Sequence, residues 1–308
     1  MNTLSKIQTA LLIFLTLSSC CYAEIIPEII PTPPLLTKEQ LLQRGNVPHA
    51  PFILNTIPKA GTHLIMECIY YMINKRVDEA NDLINESNFT PAVKNNLLKY
   101  FLTLPNANYI HKTHFPHFPA MEKLFIQVGL KWIFVIRDPR DALISLAFYM
   151  EDKTSEGNRR DFMDINSSVY NQLSFDDKIT ALMTGSCCTN YLATYYEGFY
   201  GWTETKNGLV VKFEDLIGPN GGGTKERQLN TLRKISTYLN MNLSDAELLA
   251  ASEYCYHIAP TSPQNSKVYK KAQMGSWKKF LSEPNKLLFK KLYAKKLILL
   301  GYEEGINW

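Results

Sequence analysis

The segment from Pro51 to Ile73 constrains the fold more than any other part of the chain, and it reads PFILNTIPKAGTHLIMECIYYMI. Phe52 to Ile57 is an apolar, β-branched run with the length of a buried strand, and Pro58 to Thr62 is a tight turn followed by an apolar helical pattern. This order predicts a strand, a short loop and a helix. Such a turn directs unpaired backbone N–H groups and the positive end of the helix dipole toward one point, so the segment predicts an anion site.

The side chains of this loop also favour an anion. Lys59 adds a full positive charge, Gly61 lets the backbone approach a ligand closely, and Thr62 and His63 supply donors at the start of the helix. The GxxxxGK[ST] pattern of nucleoside triphosphatases is absent, because the lysine precedes the glycine. An ordinary strand-to-helix turn with a surface lysine has the same short pattern, so the rest of the chain has to decide between the two.

Composition bounds the remaining choices. The chain has 308 residues, 45% of them hydrophobic, with charges of both signs mixed along it, which predicts a globular protein with one substantial core. The net charge of +4 is modest. We therefore expect no nucleic-acid partner, and any preference for anions has to come from the local placement of lysine and arginine.

The amino terminus differs in composition from the rest. Lys6 is followed by TALLIFLTLSSCCYA, a short apolar stretch that ends in small residues near Ala23, and this order is typical of a secretory signal peptide. Leu17 to Cys20 also resembles the lipobox of bacterial lipoproteins, in which Cys20 would carry a lipid anchor. We therefore predict that residues 1–23 are a signal peptide or a lipoprotein signal, and that any membrane attachment is through the amino terminus only.

Residues 24–45 are interpreted as a linker that ends in a docking helix, Leu35 to Gln43, and residues 46–308 as the folded domain. Together with the leader, this organisation predicts export or entry into the secretory pathway. Four Asn-x-Ser/Thr sites permit a eukaryotic secretory route, at Asn85, Asn88, Asn166 and Asn242.

Cysteine usage neither requires nor excludes an oxidising compartment. Of the six cysteines, Cys20 and Cys21 lie in the leader, and the others are Cys68, Cys187, Cys188 and Cys255. No CxxC pair occurs, so we expect no zinc site and no metal. A disulfide among the four is allowed, but the sequence does not assign one.

Three more segments predict strands that run directly into polar residues, as the first one does: Asn108 to Lys112, Lys131 to Ile136 and Leu209 to Phe213. Four short strands separated by helical patterns predict an α/β fold, with a central parallel sheet flanked by helices on both faces. Ligands on such sheets bind at the carboxyl ends of the strands.

Two polar regions lie between these strands. Val77 to Lys99 is predicted to be helical and interrupted at Thr90-Pro91, and Glu151 to Tyr170 is predicted to be a mobile loop or lid over a site. Lys286 to Leu300 is predicted to be a closing amphipathic helix with a solvated basic face.

At this point four segments in one order resemble the sulfotransferases that use 3′-phosphoadenosine 5′-phosphosulfate (PAPS), which have a P-loop nucleotide-binding-like fold. They are TIPKAGTHL at 56–64, HKTHFP at 111–116, RDPRDALIS at 137–145 and YKKAQMGSWKKF at 269–280. WTETKNGLVVKFEDL at 202–216 is similar to the adenine-side strand of the family. Each segment alone is loose, but the ordered set is specific, and it identifies residues 46–308 as a sulfotransferase domain.

The resemblance implies catalytic roles that agree with the chemistry of the residues. Sulfuryl transfer moves a planar, electron-poor group in line between two oxygens, so catalysis consists of positioning and charge stabilisation. Lys59 would offset the charge that grows on the leaving phosphate. His114 would take the proton from a hydroxyl or amine acceptor, and Lys112 would contact the transferring sulfonyl oxygens.

The resemblance also implies the residues that bind the co-substrate. Arg137 and Ser145 would bind the 3′-phosphate, and the carboxy-terminal clamp would close over it. The full predicted set is Lys59, Ala60, Gly61, Thr62, His63, Leu64, Arg137, Ser145, Phe213, Lys270, Lys271 and Ala272.

The sequence departs from the family pattern in four places. Leu64 stands where cytosolic members usually have a tryptophan against the adenine, and Phe213 where they often have a tyrosine. The clamp reads Lys-Lys-Ala where Arg-Lys-Gly is usual, and the KxxxTVxxxE dimer motif is missing after Trp277. We therefore expect adenine stacking to be weaker or to be supplied by other residues, and we expect no dimerisation through that motif.

Two other functions compete with an active sulfotransferase. A catalytically inactive protein would use the same crevice to bind a nucleotide or a sulfated glycan, although a pure binder needs no base beside the anion loop. A nucleotide kinase or hydrolase would need a magnesium ligand, for which only Asp138 or Asp215 follows a strand. The acceptor, a small molecule or a glycan, would be shaped by residues 77–100, 115–123 and 151–170.

Overall fold

The computed structural model describes residues 47–73, 76–79, 90–103, 109–151, 165–261 and 273–308. The chain divides into two units, Met1–Thr32 and Pro33–Trp308, and all elements described here belong to the second. The predicted signal peptide, the linker with its docking helix, most of the predicted lid and the clamp residues Lys270, Lys271 and Ala272 lie outside the described residues. Within the described residues, no helix is both long and apolar enough to cross a membrane.

The described strands form one parallel sheet in the order β2-β3-β1-β4-β5. The strands are β1 Phe52–Thr56, β2 Arg76–Glu79, β3 Tyr109–Thr113, β4 Lys131–Ile136 and β5 Leu209–Lys212. The predicted α/β class and the parallel sheet are confirmed. β1 lies at the centre, between β3 and β4, so the loop that follows β1 has a neighbouring strand end on each side.

Helices connect the strands. They are α1 Thr62–Ile73, α2 Pro91–Thr103, α3 Pro119–Gln127, α4 Pro139–Glu151, α5 Ser167–Tyr170, α6 Phe175–Thr184, α7 Phe213–Leu216, α8 Lys225–Tyr238, α9 Asp245–Thr261, α10 Trp277–Phe280 and α11 Glu283–Leu299. A π-helical segment covers Leu192–Glu197, and short 3-10 turns cover Tyr200–Thr203 and Pro219–Gly221.

Both faces of the sheet are covered by apolar side chains. Along β1, Phe52 and Leu54 belong to one buried cluster with α1, α8 and α9, and Ile53 belongs to a second cluster with α3, α4 and α6. Alternate residues of a strand point to opposite faces. Burial on both faces explains why β1 and β4 read as continuous apolar runs rather than as alternating ones.

One predicted element is wrong, and one predicted interruption coincides with the start of a helix. Arg76–Glu79 is a strand that pairs in parallel with β3, whereas a helix was predicted from Val77. The pairing joins segments far apart in the sequence, so no local periodicity reveals it. The predicted interruption at Thr90-Pro91 is the start of α2, with Pro91 as its first residue, a position that tolerates proline because its N–H needs no helical partner.

Candidate active site

The anion loop begins where β1 ends and stops where α1 begins. Lys59 and Gly61 have left-handed backbone conformations, with φ of 67° and 97°. This conformation is uncommon for a residue with a side chain, and turns that contain it form the concave groups of N–H donors that bind anions. The hydroxyl of Thr62, the first residue of α1, lies 2.8 Å from that of Thr56, the last residue of β1. A bond between strand and helix therefore closes the base of the loop.

The other predicted loop residues are divided between the turn and the surface. Ala60 is buried, and its N–H donates to the Ile57 carbonyl at 3.0 Å, which makes the turn. His63 is exposed at the start of α1. The Lys59 ammonium lies 4.0 Å from the ring centroid of Tyr149 on α4. This cation–π contact fixes the direction of the lysine side chain above the loop.

Phe213, at the start of α7, packs directly under the loop. A Cβ at Gly61 would overlap the Phe213 ring, so glycine is required there by contact as well as by its φ. On the same ring lies the Arg137 guanidinium, 4.2 Å from the centroid. Phe213 and Leu64 are both buried in the apolar cluster around α1. In the structure, these two residues support the loop, and their predicted adenine contacts stay predictions.

His114 follows β3 and is held against the end of β1. Its Nδ1 lies 2.6 Å from the Thr56 carbonyl oxygen and 3.1 Å from the Thr56 hydroxyl. A carbonyl oxygen only accepts hydrogen bonds, so Nδ1 carries the proton of the neutral imidazole. Nε2 is then the basic nitrogen of the ring. The contact ties the predicted base to the strand that carries the anion loop.

Asn55 fixes the backbone around His114, and the sequence analysis did not single it out. Its amide donates to the Phe115 carbonyl at 3.0 Å and accepts from the Phe115 N–H at 2.9 Å and from the Thr113 hydroxyl at 3.1 Å. Trp202 donates to the same Phe115 carbonyl at 2.8 Å. The available signal was a polar residue inside an otherwise apolar strand, because a buried amide needs partners.

Lys112 lies on β3 two residues before His114 and is 6% exposed. It pairs in register with Leu54 of β1. A lysine this buried is unusual and is normally paired or functional. Its predicted contact with the transferring group stays a prediction.

Arg137, at the end of β4, offers a second anion site. It is 4% exposed, and its guanidinium donates to the Gln273 carbonyl at 3.1 Å and to the Lys59 carbonyl at 3.4 Å. Its Nε is buried and has no hydrogen-bond partner among the described residues. Buried donors without a partner cost free energy, so this geometry favours an anion at Nε.

The acidic residues after Arg137 have structural partners. Asp138 pairs with Arg140 at 2.7 Å, and Asp141 accepts hydrogen bonds from the N–H groups of Gly275 and Trp277 at 2.7 and 2.9 Å. Burial raises the pKa of Asp141 above its ordinary value, although Arg137 lowers it. Within the described residues, no group of three His, Cys, Asp or Glu side chains is arranged to hold a metal ion. Asp138 and Asp141 therefore have structural partners beside Arg137.

Two tyrosines connect the two anion sites, and the sequence analysis missed both. Tyr191 donates to the Pro58 carbonyl at 2.5 Å, and Tyr196 donates to the Arg137 carbonyl at 3.0 Å. They are five residues apart and flank or belong to the π-helical segment Leu192–Glu197. A π-helix brings positions i and i+5 to one side, and it often occurs at functional sites. Burial raises the pKa of both phenols, so both remain donors.

The structure thus brings three of the predicted segments to one edge of the sheet. Thr56 joins the loop to His114, and the Lys59 carbonyl joins it to Arg137. Ser145 is partly exposed on α4, two turns beyond the start of that helix. Its role and the roles of the other predicted residues stay predictions.

Comparisons with known proteins agree with this geometry. A family model described as "Sulfotransferase domain" matches residues 49–301. Sulfotransferase 2A6 of Mus musculus is 22% identical over 300 residues, which cover 91% of this chain and 96% of that protein. Sulfotransferase 2A1 of the same organism is 22% identical over 297 residues, with the same coverage.

Solved structures give the same result for the fold. The mouse sulfotransferase SULT7A1 complexed with PAP has a TM-score of 0.56 at 17% identity, over 85% of this chain and 90% of that chain. Retinol dehydratase in complex with androsterone and the inactive cofactor PAP has a TM-score of 0.53 at 16% identity, over 82% of both chains. The P-loop-like α/β fold is therefore shared with proteins whose structures contain a nucleotide.

Proposed function

This chain belongs to the sulfotransferase family, whose domain covers residues 49–301, and it is an enzyme of the PAPS-dependent type. From that premise we propose that it transfers the sulfuryl group of PAPS in line to a hydroxyl or amine acceptor. His114 is the base, and Lys59 is the electrostatic stabiliser of the leaving phosphate.

The contact between His114 and Thr56 carries the proposal. The Nδ1–H of His114 donates to the carbonyl of the residue that ends β1, so the ring is oriented and its tautomer is set. In that tautomer, Nε2 is the nitrogen that would accept a proton from an acceptor hydroxyl or amine. A protein that only bound an anion would have no need of a base held beside the loop.

The 3′-phosphate is assigned to Arg137. The Arg137 Nε is buried and has no hydrogen-bond partner among the described residues, which supports a bound anion there. The Arg137 contact with the Lys59 carbonyl links this position to the loop that would bind the 5′-phosphosulfate. Ser145, Lys270, Lys271 and the backbone of Ala272 complete the proposed 3′ site.

The chemistry divides among three side chains. Bound PAPS supplies the sulfuryl group, whose bond to the phosphate oxygen breaks as its bond to the acceptor oxygen or nitrogen forms. Lys59 stabilises the negative charge on the leaving oxygen, and Lys112 stabilises charge on the sulfonyl oxygens. The acceptor proton moves to Nε2 of His114, which restores the balance of charge.

For the acceptor we propose a small-molecule alcohol. The retinol dehydratase structure, which shares the fold, contains androsterone, and the partly buried ring of Tyr149 lies against Lys59 of the anion loop. A glycan acceptor is the alternative, and it would need an open groove rather than an apolar pocket.

We also propose that the protein is exported or enters the secretory pathway. The apolar leader before Ala23 supports this, and so does Cys68, which is disulfide-bonded. Disulfides persist in oxidising compartments and are rare in the cytosol. Its partner lies outside the described side chains. PAPS would then reach the enzyme by transport from the cytosol.

Transfer from labelled PAPS to a panel of alcohols, phenols, amines and glycans tests the function. We expect a sulfated product from the wild type, a loss of about 10²- to 10⁴-fold in rate for His114→Gln, and undiminished binding of 3′-phosphoadenosine 5′-phosphate (PAP) by that variant. His49→Gln is the matched control, since His49 lies outside the predicted site segments and contacts Phe52 and the Ala50 carbonyl. EDTA should leave turnover unchanged.

Two outcomes would contradict the proposal. A folded protein that binds PAP but gives no product with any acceptor class is a nucleotide-binding protein without catalysis. Equal rates for His114→Gln and His49→Gln would remove His114 from the role of base.

A further inference from the structure

The carboxyl-terminal tail, residues 302–308, folds back onto the segment that starts with Arg137. Three of its side chains contact either Arg140 in that segment or Glu214, which is bonded to the segment. Tyr302 donates to Glu214 Oε2 at 3.1 Å, Glu303 pairs with Arg140 at 2.6 Å, and the Trp308 ring centroid lies 4.4 Å from the Arg140 guanidinium carbon. Residues 302–308 therefore approach the proposed 3′-phosphate site through Glu214 and Arg140, not through Arg137 itself.

Arg140 is the centre of these contacts. It is 2% exposed, it pairs with both Asp138 and Glu303, and its guanidinium carbon lies 3.9 Å from the ring centroid of Trp277 and 4.4 Å from that of Trp308, two rings that meet edge to face. A charge this far from water is tolerated only when its partners stay in place. Without the tail, Arg140 would lose one carboxylate and one of its two aromatic faces.

The groups that the tail holds fix the backbone next to Arg137. Asp138 accepts from the Arg140 N–H at 2.9 Å, and the Asp138 N–H donates to Glu214 Oε1 at 2.9 Å. Glu214 is thus bonded to Asp138 through one oxygen and to the tail through the other. Asp138, the residue that directly follows Arg137, thus makes one hydrogen bond to the Arg140 N–H and one to Glu214. These two bonds set where the Arg137 guanidinium lies.

The tail also reaches the opposite side of the site. Trp277, whose ring contacts both Trp308 and Arg140, donates its backbone N–H to Asp141, and the Gln273 carbonyl accepts from Arg137. Residues 273–277 belong to the predicted clamp segment, 269–280. We refer to five residues as the Arg140 cluster: Asp138, Arg140, Trp277, Glu303 and Trp308. This cluster therefore connects the end of β4 with residues 273–277.

We propose that the tail is a positioning element for the 3′-phosphate half of the co-substrate site, with Tyr302, Glu303 and Trp308 as positioning residues. This inference rests on the proposed function, because it assumes that Arg137 binds the 3′-phosphate. None of the three residues touches the nucleotide. They act through Glu214 and Arg140 on the direction of Arg137.

Comparing PAP with 5′-AMP separates positioning from general stability, because the two nucleotides differ by the 3′-phosphate alone. By calorimetry we expect the wild type to bind PAP more tightly than AMP by at least about tenfold, as a buried arginine contact with a phosphate implies. Glu303→Gln should weaken PAP binding by about five- to tenfold and change AMP binding by less than about twofold.

The matched control is Glu304→Gln, because Glu304 is the adjacent exposed residue with the same charge. Its PAP-to-AMP ratio should equal that of the wild type. Trp308→Phe keeps an aromatic face on Arg140 and should retain most of the ratio, whereas Trp308→Ala should lower it as Glu303→Gln does. Tyr302→Phe removes the bond to Glu214 and should lower the ratio as well.

The outcomes separate this inference from the function on which it rests. A wild type without preference for PAP over AMP would overturn both the proposed 3′-phosphate site and the role of the tail. A wild type with that preference, together with an unchanged ratio in Glu303→Gln, would overturn the role of the tail alone. A parallel loss of PAP and AMP binding would also overturn it, since that result indicates only a less stable fold.

Discussion

At the scale of single residues, Glu214 illustrates how the site uses a buried acid without using it as a catalyst. The side chain is 7% exposed and bonded to the Asp138 N–H and the Tyr302 hydroxyl. Burial raises its pKa to about 7, although the Asp138 N–H and Arg137 act in the opposite direction. The carboxyl therefore titrates near neutral pH directly behind Arg137.

This pKa predicts how stability depends on pH. Because the folded-state pKa is about 7 and the ordinary value is 4.5, the folded protein retains a proton between these values that the unfolded chain releases. The contribution of Glu214 is complete below pH 4.5 and is lost as pH rises to about 7, by up to ~3 kcal/mol at ~1.4 kcal/mol per pKa unit. Urea unfolding from pH 5 to 8 should show a smaller decline for Glu214→Gln than for the wild type. Parallel curves for the two proteins would contradict the raised pKa.

A second residue-scale prediction compares two glycines in left-handed conformations. Gly61 has φ of 97° and touches the Phe213 ring, whereas Gly129 has φ of 67° and open space around it. Gly129→Ala should cost about 1 kcal/mol of unfolding free energy, from backbone strain alone. Gly61→Ala should cost at least ~2 kcal/mol more, because the added methyl displaces the ring, and it should weaken PAP binding. If the two variants lost the same unfolding free energy, the Phe213 ring would have moved aside for the added methyl group without an energetic cost.

At the scale of elements, the π-helical segment Leu192–Glu197 places two tyrosine side chains in a way that an α-helix would not. It directs Tyr191 and Tyr196 to the carbonyls of Pro58 and Arg137, one in each proposed anion site. In an α-helix, residues five apart diverge by about 140° around the axis, at 100° per residue. The wider turn therefore lets one element brace both loops.

Removing either hydroxyl should weaken the fold and the site together. Tyr191→Phe and Tyr196→Phe each leave a buried carbonyl without its donor, which should lower the unfolding free energy by about 1–3 kcal/mol. Tyr170→Phe is the control, because the Tyr170 hydroxyl is buried and has no hydrogen-bond partner among the described residues. Removing the Tyr170 hydroxyl should leave the unfolding free energy unchanged or raise it. Denaturant unfolding of the three variants measures the difference, and a loss in Tyr170→Phe as large as in the others would contradict it.

The same element-scale contacts explain what the sequence could and could not predict. The loop from Pro58 to Thr62 was predictable because turn residues and a helix start act locally, and so was the capping of α9, where Ser244 and Glu247 exchange hydrogen bonds. Asn55 bonds to a residue 60 positions away and Tyr191 to one 133 positions away. Such partners depend on the order of strands in the sheet, which local patterns do not determine.

At the scale of the whole molecule, thiol chemistry bears on where the protein folds. Cys68 lies on α1, buried directly behind the anion loop, and is disulfide-bonded, whereas Cys187 and Cys188 are free thiols. Burial raises the pKa of Cys188 to about 12, with Cys187 adding to the effect. Because the thiolate is the reactive form, Cys188 should react slowly even in an oxidising compartment.

Non-reducing peptide mapping tests this distribution in protein recovered from a secretory host. We expect the Cys68 peptide to remain cross-linked after denaturation with iodoacetamide, while Cys187 and Cys188 are alkylated without reduction. Reducing the native protein should then lower its unfolding free energy by about 2–5 kcal/mol, because the cross-link no longer restricts the unfolded chain. The Cys187→Ser/Cys188→Ser double variant should show the same response to reductant as the wild type. If Cys68 is alkylated without reduction in secreted, active protein, the disulfide is not needed for the fold and no longer supports an oxidising compartment.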